Sequence, residues 1–149
     1  MKKHVLVYTD GSCDTTSGDG GWAYLLRYSG KTKEAAGFAA ETTNNRMELT
    51  AAVKALQALN EACQVTLTTD SQYLKKAFTE GWLDNWQRNG WKTASRQPVK
   101  NKDLWLKLLE LASHHDLDWT WTKGHAGHPE NERVDTLALR ARKRKHAIS

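Results

Sequence analysis

The sequence has few cysteines and prolines and no long hydrophobic run, and each scarcity excludes a class of protein. Two cysteines, Cys13 and Cys63, in 149 residues argue against a disulfide-rich secreted scaffold and show no metal-ligand spacing. No apolar stretch approaches the about 18 residues of a membrane span. The apolar stretch that follows Lys2 and Lys3 covers only residues 5–8, which is too short for a signal-peptide core. We therefore expect a cytoplasmic protein without a membrane segment.

The chain also lacks repeats, low-complexity tracts and Pro/Ser-rich linkers, so residues 1–149 are expected to form one domain. Its composition, 39% hydrophobic and 26% charged, is that of an ordinary globular protein. The formal net charge of +5 indicates a polyanionic partner. Residues 140–146 form a dense basic block, which suits either the end of a helix or a nucleic-acid contact.

Hydrophobic periodicity predicts strands and helices in the order βββαβαααβα. The strands are expected at about 4–10, 21–28, 32–39, 64–69 and 117–122, with a Gly-rich turn at 18–21 and a hairpin turn at 28–31. The helices are expected over about 15 residues from Asn44 or Asn45, then at 71–79, 82–88 and 101–113, and after Pro129. This order predicts an α/β fold with a five-stranded mixed sheet flanked by helices.

Two predicted strands end in the same dipeptide, Thr-Asp, which places Asp10 and Asp70 at strand carboxyl ends. If the strands are parallel neighbours, the carboxylates converge where open α/β sheets bind ligands. Close carboxylates resist full ionisation unless a cation joins them. Alternatively, Asp10-Gly11 forms a turn and Asp70 caps the helix that starts near Ser71. On these two residues alone, the turn and the cap are the simpler interpretation.

Two further acids lie on predicted helices. Glu48 falls in the first turn of its helix, and the residues three, four and seven positions later are alanines, which lets this helix pack close to the sheet. Compensation of the helix dipole is the alternative role for Glu48. Asp135 lies about two turns into the last helix on a mostly apolar face. This is too far from the helix N-terminus for compensation of the helix dipole to explain an acid. Asp135 is therefore a candidate site residue by itself.

The four acids together predict a site for a hard cation. Carboxylate oxygens without a Cys/His ligand set favour Mg²⁺ or Mn²⁺ over zinc. Hydrolysis of a phosphodiester needs charge neutralised on the attacking and leaving oxygens, which two metal ions bridged by carboxylates supply. His125 lies between Gly124 and Gly127 close to Asp135 in the sequence, which suggests a proton-handling role.

Five segments, in matching order and spacing, resemble bacterial ribonuclease H type 1. They are YTDGSC (8–13), TTNNRMEL (42–49), TDSQY (69–73), GWKTA with PVKN (90–94 and 98–101) and KGHAGHPENERVD (123–135). The resemblance implies a ribonuclease H-like fold. It implies that four acids bind two divalent ions, Mg²⁺ or Mn²⁺: Asp10, Glu48, Asp70 and Asp135. It also implies that His125 assists proton transfer or product release, and that the enzyme hydrolyses the RNA strand of RNA–DNA hybrids to leave 5′-phosphate and 3′-hydroxyl ends.

An enzyme that cuts RNA only in a hybrid must detect the 2′-hydroxyl of the RNA strand. Short polar side chains flank the acids in the sequence: Cys13, Asn44, Asn45 and Gln72. The resemblance assigns the two asparagines and Gln72 to minor-groove contacts, and Thr43 and Asn101 to a phosphate of the DNA strand. Asn44 or Asn45 is alternatively the N-cap of the helix.

Residues 82–102, called here the Trp-rich segment, interleave tryptophans with basic residues. The predicted substrate contacts in this segment are Trp82, Arg88, Trp91 and Lys92. Basic side chains of this kind bind phosphates. In the family this region is a basic protrusion that holds the DNA strand. Trp86, in contrast, is expected to pack within an aromatic cluster.

Two positions depart from the family pattern, since Thr16 stands where Asn is common and Glu41 where a basic residue is common. Both departures bear on the strength of substrate contacts and not on the chemistry of the acids. The main hypothesis is a monomeric, metal-dependent endoribonuclease. One rival is a strand-transfer enzyme or nuclease with another substrate, and the other is a non-catalytic nucleic-acid-binding module, which would be expected to lack an acid.

Overall fold

The computed structural model describes residues 2–123 and 128–148. The strands are β1 (Lys3–Cys13), β2 (Gly20–Tyr28), β3 (Lys31–Ala39), β4 (Cys63–Thr69) and β5 (Asp116–Trp121). The helices are α1 (Asn44–Gln57), α2 (Gln72–Thr79), α3 (Trp82–Asn89), α4 (Lys102–Ala112) and α5 (Pro129–Arg144). The sheet has the order β3-β2-β1-β4-β5, antiparallel from β1 to β3 and parallel from β1 through β4 to β5. The predicted five-stranded mixed sheet is confirmed.

Strand alternation gives the sheet two apolar faces, each covered by helices. In β2, Ala23 and Leu25 pack with α5, whereas Tyr24 and Leu26 belong to the larger core that includes α1 and α4. The buried stripe of α5 has the helical spacing expected of an amphipathic helix: Val134, Leu137, Ala138 and Ala141. The alanines predicted to bring α1 close to the sheet are all fully buried: Ala51, Ala52 and Ala55.

β1 is longer than the sequence pattern predicts, and its extension corrects one interpretation of Asp10. The strand continues to Cys13, with Asp10 opposite Ala23 and Cys13 opposite Gly20. A turn at Asp10-Gly11 is therefore wrong, because these residues have backbone partners on β2. The reversal follows at Asp14, whose carboxylate accepts hydrogen bonds from the Thr16 and Ser17 amides at 2.9 and 3.4 Å. The expected turn at 18–21 is displaced for the same reason, since β2 begins at Gly20.

The parallel ladder between β1 and β4 sets the position of the first two acids. Its last pair is Tyr8 with Thr68. Asp10 and Asp70 each follow that pair by two residues, so the register brings them to the same edge of the sheet. The predicted convergence of the two carboxylates is confirmed, although β1 itself does not end at Asp10.

The helix starts and chain reversals show how local chemistry fixes the remaining elements. The N-cap of α1 is Thr43, whose hydroxyl accepts from the Arg46 amide at 3.1 Å, so neither Asn44 nor Asn45 caps the helix as suggested. Ser29 and Gly30 both have positive φ, as a two-residue hairpin turn requires.

Most of the basic block at 140–146 lies at the end of α5, with Arg142, Lys143 and Arg144 in its last turn and Lys145 as its C-cap. Positive side chains at this end oppose the negative end of the helix dipole. No helix within residues 2–123 and 128–148 is long and apolar enough to cross a membrane.

Candidate active site

Three carboxylates meet at the edge of the sheet: one lies within β1, one directly follows β4 and one is on α1. Asp10, Glu48 and Asp70 each offer one oxygen, and these oxygens all lie within 4.8 Å of one another. Asp10 and Glu48 are buried, with 7% and 5% of their surface exposed, and Asp70 is partly exposed. Three acids this close, with little water around two of them, repel one another strongly when all are ionised.

The pKa values express that repulsion. Burial, the charge of Asp70 and hydrogen bonding with Asp135 together raise the pKa of Asp10 to about 8. Burial and the charges of Asp10 and Asp70 raise the pKa of Glu48 well above its ordinary value. Perturbed pairs of this kind are characteristic of functional sites. Either protons or a cation must offset the negative charge at neutral pH.

The donor set fits a divalent cation. Within the part of the chain that the structure describes, Oε2 of Glu48 is buried and has no hydrogen-bond partner. A buried polar atom left unsatisfied costs about 1–3 kcal/mol, and a hard cation bound by carboxylate oxygens would satisfy it. The hydroxyl of Thr9, which follows Tyr8 on β1, is also buried without a partner among the described residues. The three acids therefore form a suitable site for Mg²⁺ or Mn²⁺.

Close packing of α1 against β1 places Glu48. A Cβ atom added to Gly11 would lie 2.5 Å from the Glu48 backbone nitrogen and 2.6 Å from the Met47 carbonyl carbon. No side chain fits in that space, so a glycine is required at this position for a close approach. The start of α1 thereby lies directly over the extended end of β1.

Asp135 approaches the site from α5. It lines a small cavity with Asp10, Asp70 and Asn131, and it interacts with the Asp10 carboxyl. It lies outside the close group of three acids. Two ion pairs attach the first half of α5 to the sheet, Arg27 with Glu130 at 2.5 Å and Arg133 with Glu34 at 2.7 Å. The fourth predicted acid is thus brought beside the first two.

The predicted proton-handling residue, His125, lies outside the described residues. Its neighbours along the chain, Lys123 and His128, are described and exposed.

The residues expected to contact the RNA strand lie close to the acids in the sequence. Asn44 and Asn45 are the first two residues of α1, and Gln72 is the first residue of α2; all three are exposed. Cys13 ends β1, and its thiol lies 3.5 Å from the Thr42 carbonyl oxygen. Burial raises the pKa of this thiol, so the side chain is uncharged at neutral pH.

The two residues expected to bind a DNA phosphate are linked through Arg46. The backbone amide of Arg46 donates to the Thr43 hydroxyl, and its guanidinium donates to Oδ1 of Asn101 at 3.2 Å. The same guanidinium binds both carboxylate oxygens of Asp103 at 3.1 and 2.8 Å. Nδ2 of Asn101 donates to the Tyr73 hydroxyl at 3.3 Å. Sequence reasoning missed Arg46 and Tyr73, although both lie within the segments that carry the family resemblance.

The Trp-rich segment folds as α3 followed by an irregular loop. Trp86 packs against Trp82, Trp91 and Trp105 with ring centroids 5.9–6.0 Å apart, which confirms its expected structural role. A surface groove beside this cluster is lined by Trp82, Arg88 and Lys92. Trp91 has φ +65°, a left-handed conformation that is costly for a bulky residue. The predicted contacts Trp82, Arg88 and Lys92 therefore share one surface.

Comparison with known proteins agrees with this geometry. Residues 2–143 match the family model described as RNase H. The chain is 57% identical to the Ribonuclease H of Oleidesulfovibrio alaskensis over 91% of its own length and 88% of that protein. It is 55% identical to the Ribonuclease HI of Neisseria meningitidis serogroup B over 94% of its own length and 96% of that protein.

A solved structure supports the same relationship. It is described as LC9-RNase H1, a type 1 RNase H with the type 2 active-site motif, and it aligns with a TM-score of 0.82 at 31% identity, covering 99% of this chain and 75% of that one. With three carboxylates converging at the sheet edge and a family match over nearly its whole length, this chain belongs to the RNase H family of endonucleases.

Proposed function

We propose that this protein hydrolyses the RNA strand of RNA–DNA hybrids with two divalent metal ions, leaving 5′-phosphate and 3′-hydroxyl ends. The observation that carries the proposal is the convergence of Asp10, Glu48 and Asp70 within 4.8 Å in a member of the RNase H family. Without a cation, repulsion among these buried carboxylates lowers the free energy of unfolding. A cluster that costs stability is expected to serve a function.

Four carboxylates would hold the ions: Asp10, Glu48, Asp70 and Asp135. Bound Mg²⁺ or Mn²⁺ supplies charge neutralisation at the attacking and leaving oxygens of the phosphodiester. The chain fixes the ligands through backbone pairing of β1 and through close packing of α1. The ion pairs of α5 with β2 and β3 hold Asp135 beside Asp10.

Hydrolysis forms a bond between a water oxygen and phosphorus and breaks the bond between phosphorus and the 3′-oxygen. The water loses a proton, and the departing 3′-oxygen gains one. His125 is proposed to assist this proton transfer or the release of product, because an imidazole changes charge near neutral pH.

Substrate selection is proposed to use both strands. Asn44, Asn45 and Gln72, with Cys13, would contact the minor groove, where the 2′-hydroxyl distinguishes RNA from DNA. Thr43 and Asn101 would bind a phosphate of the DNA strand at the start of α1, and a helix N-terminus favours an anion. The groove of the Trp-rich segment would add contacts from Trp82, Arg88 and Lys92, and Trp91, which packs against Trp86 beside it, would add a fourth.

Three labelled substrates test this function in the presence of Mg²⁺: an RNA–DNA hybrid, double-stranded RNA and double-stranded DNA. We expect cleavage of the hybrid alone, with products that a 5′-phosphate-dependent exonuclease degrades. Strand-transfer products or cleavage of double-stranded DNA would favour another enzyme class. Binding of the hybrid without cleavage would favour a non-catalytic module.

Replacement of one ligand tests the metal chemistry. Asp10→Asn is expected to lower kcat at least about a thousandfold, because a metal ion contributes several kcal/mol to such a reaction. Asp118→Asn, at an exposed position on β5, is the matched control and should retain activity. Hybrid cleavage that survives Asp10→Asn would contradict the proposed mechanism.

We further propose that residues 1–149 act as one domain, as a monomer and in the cytoplasm. The free thiols of Cys13 and Cys63 suit a reducing compartment. Light scattering measures the oligomeric state and cell fractionation the location, and a stable dimer or a periplasmic location would contradict the proposal.

A further inference from the structure

The side chain of Asn101 makes contacts that its place at a helix start does not explain. Asn101 is the N-cap of α4 with φ +63°, yet its side chain makes no capping hydrogen bond. Asparagine is among the best N-cap residues because its oxygen accepts from the first turn. Here the side chain instead reaches Arg46 of α1 and Tyr73 of α2. Its role therefore lies outside its own helix.

Arg46 and Tyr73 determine which way the Asn101 amide points. An amide has one acceptor oxygen and two N–H donors, whereas a guanidinium only donates. Arg46 therefore selects the oxygen of Asn101. The Tyr73 hydroxyl, which already accepts from Nε1 of Trp105 at 2.9 Å, also accepts from Nδ2 of Asn101, and so holds the amide in the orientation that Arg46 sets. One N–H of the Asn101 amide remains to donate to another acceptor.

Both positioning groups are themselves held in place. Trp105 is fully buried, and its ring lies 5.4 Å from that of Tyr73 between centroids. Arg46 is fixed by two hydrogen bonds to Asp103, at 3.1 and 2.8 Å, in the fork geometry that arginine forms with carboxylates. A donor that is oriented before binding loses little conformational freedom when its acceptor arrives.

We propose that Tyr73 and Arg46 are positioning residues that orient the Asn101 amide so that its remaining N–H donates to a phosphate of the DNA strand. The inference rests on the proposed function, in which Asn101 contacts that phosphate. The reversed amide would present oxygen lone pairs to an anion and repel it. Since neither residue belongs to the acid cluster, their loss is expected to affect KM and not kcat.

Tyr73→Phe removes the hydroxyl and keeps the aromatic ring. We expect KM for the hybrid to rise about three- to tenfold, the effect of one hydrogen bond, with kcat unchanged. Tyr28→Phe, which removes an exposed hydroxyl at the end of β2, is the matched control and should leave KM unchanged. Asn101→Asp keeps an acceptor for Arg46 but has no N–H, so its KM is expected to rise at least as much as that of Asn101→Ala.

A double-mutant cycle separates positioning from loss of stability. Tyr73→Phe also leaves the Trp105 N–H without its acceptor, which lowers stability in any background. If Tyr73 acts through Asn101, Tyr73→Phe produces no further rise in KM when Asn101 is already alanine. Arg46→Lys keeps the charge but loses the planar fork. We expect it to raise KM in the wild-type background and to produce no further rise when Asn101 is already alanine.

Equal effects of Tyr73→Phe on KM in both backgrounds, or no effect in the wild-type background, would overturn the inference. Failure of the wild-type protein to cleave the hybrid would instead overturn the proposed function on which it rests.

Discussion

At the scale of single residues, Asp10 shows how the electrostatic strain of the site acts on one carboxyl. It is buried, and its neighbours in the cluster are two further acids. Its ordinary pKa of 3.8 rises to about 8 in the folded protein. The unfolded chain therefore releases a proton as pH rises above about 4, while the folded protein keeps it until about pH 8. Folding of the metal-free protein becomes less favourable across this interval.

We therefore expect Asp10→Asn to stabilise the metal-free protein at pH 8. The gain should be at least about 1.4 kcal/mol, equivalent to a single pKa unit, and it should shrink towards zero below about pH 3, where the wild-type carboxyl is largely protonated in both states. Thermal unfolding in EDTA at a series of pH values measures it. Added Mg²⁺ should stabilise the wild type more than the variant, because the ligand is missing from the latter.

Asp118→Asn removes an exposed carboxylate and is expected to show no such pH dependence. A wild-type and Asp10→Asn pair with the same Tm at pH 8 would contradict the link between burial of this acid and stability.

At the scale of secondary-structure elements, the contact between β1 and the start of α1 brings strand and helix acids together. The contact depends on Gly11, where any side chain would meet the backbone of Met47 and Glu48. Backbone atoms cannot rotate away as the end of a flexible side chain can. A change at this position must therefore move the helix that carries Glu48, and with it one corner of the carboxylate cluster.

Gly11→Ala is expected to lower both stability and activity. Overpacking at such a contact costs about 1–3 kcal/mol, and displacement of Glu48 should lower kcat more than it raises KM. Gly30→Ala serves as the control, because Gly30 has φ +78° but no atom within 4 Å of an added Cβ. It should lose about 1–2 kcal/mol through backbone strain and retain kcat. Equal kcat values for both variants would show that α1 does not depend on this contact.

The elements themselves could be predicted from the sequence more fully than their ends. Apolar periodicity and turn chemistry are local, so the strands, the helices and the Ser29-Gly30 hairpin were predictable. The continuation of β1 to Cys13 was not, because Asp, Gly and Ser favour turns and pairing with residues 20–23 of β2 keeps this stretch extended. The left-handed conformations of Trp91 and Asn101 depend on tertiary contacts, which no local pattern encodes.

The site residues, like the secondary-structure elements, were predictable from the sequence where the signal is local and not where it depends on tertiary contacts. Four acids in recognisable segments were found from the sequence, and the register of β1 with β4 accounts for the meeting of Asp10 and Asp70. Arg46 and Tyr73 were missed, because their importance comes from hydrogen bonds to Asn101 across 55 and 28 positions of sequence. Distant contacts of this kind have no signature in spacing or periodicity.

At the scale of the whole molecule, the acid cluster and the Trp-rich segment are carried by different elements. The acids come from β1, α1, the end of β4, and α5. The predicted cationic contacts, Arg88 and Lys92, come from the end of α3 and the loop after it. We therefore expect substitutions of Arg88 and Lys92 to change the affinity for the hybrid, and substitutions of the acids to change kcat. Because Arg88 and Lys92 would bind phosphates, we also expect binding of the hybrid to weaken as the salt concentration rises and to show no sequence preference.

The double variant Arg88→Ala/Lys92→Ala is expected to bind the hybrid more weakly and to lower the slope of log affinity against log salt by about one to two. Its kcat at saturating hybrid should equal that of the wild type, since no carboxylate has moved. Binding titrations between 50 and 200 mM salt, a range in which phosphate contacts respond strongly, measure the slope. The control Lys31→Ala/Lys33→Ala removes the same charge from exposed positions of β3. If both double variants lose the same slope, net charge alone governs binding and the Trp-rich segment has no specific role.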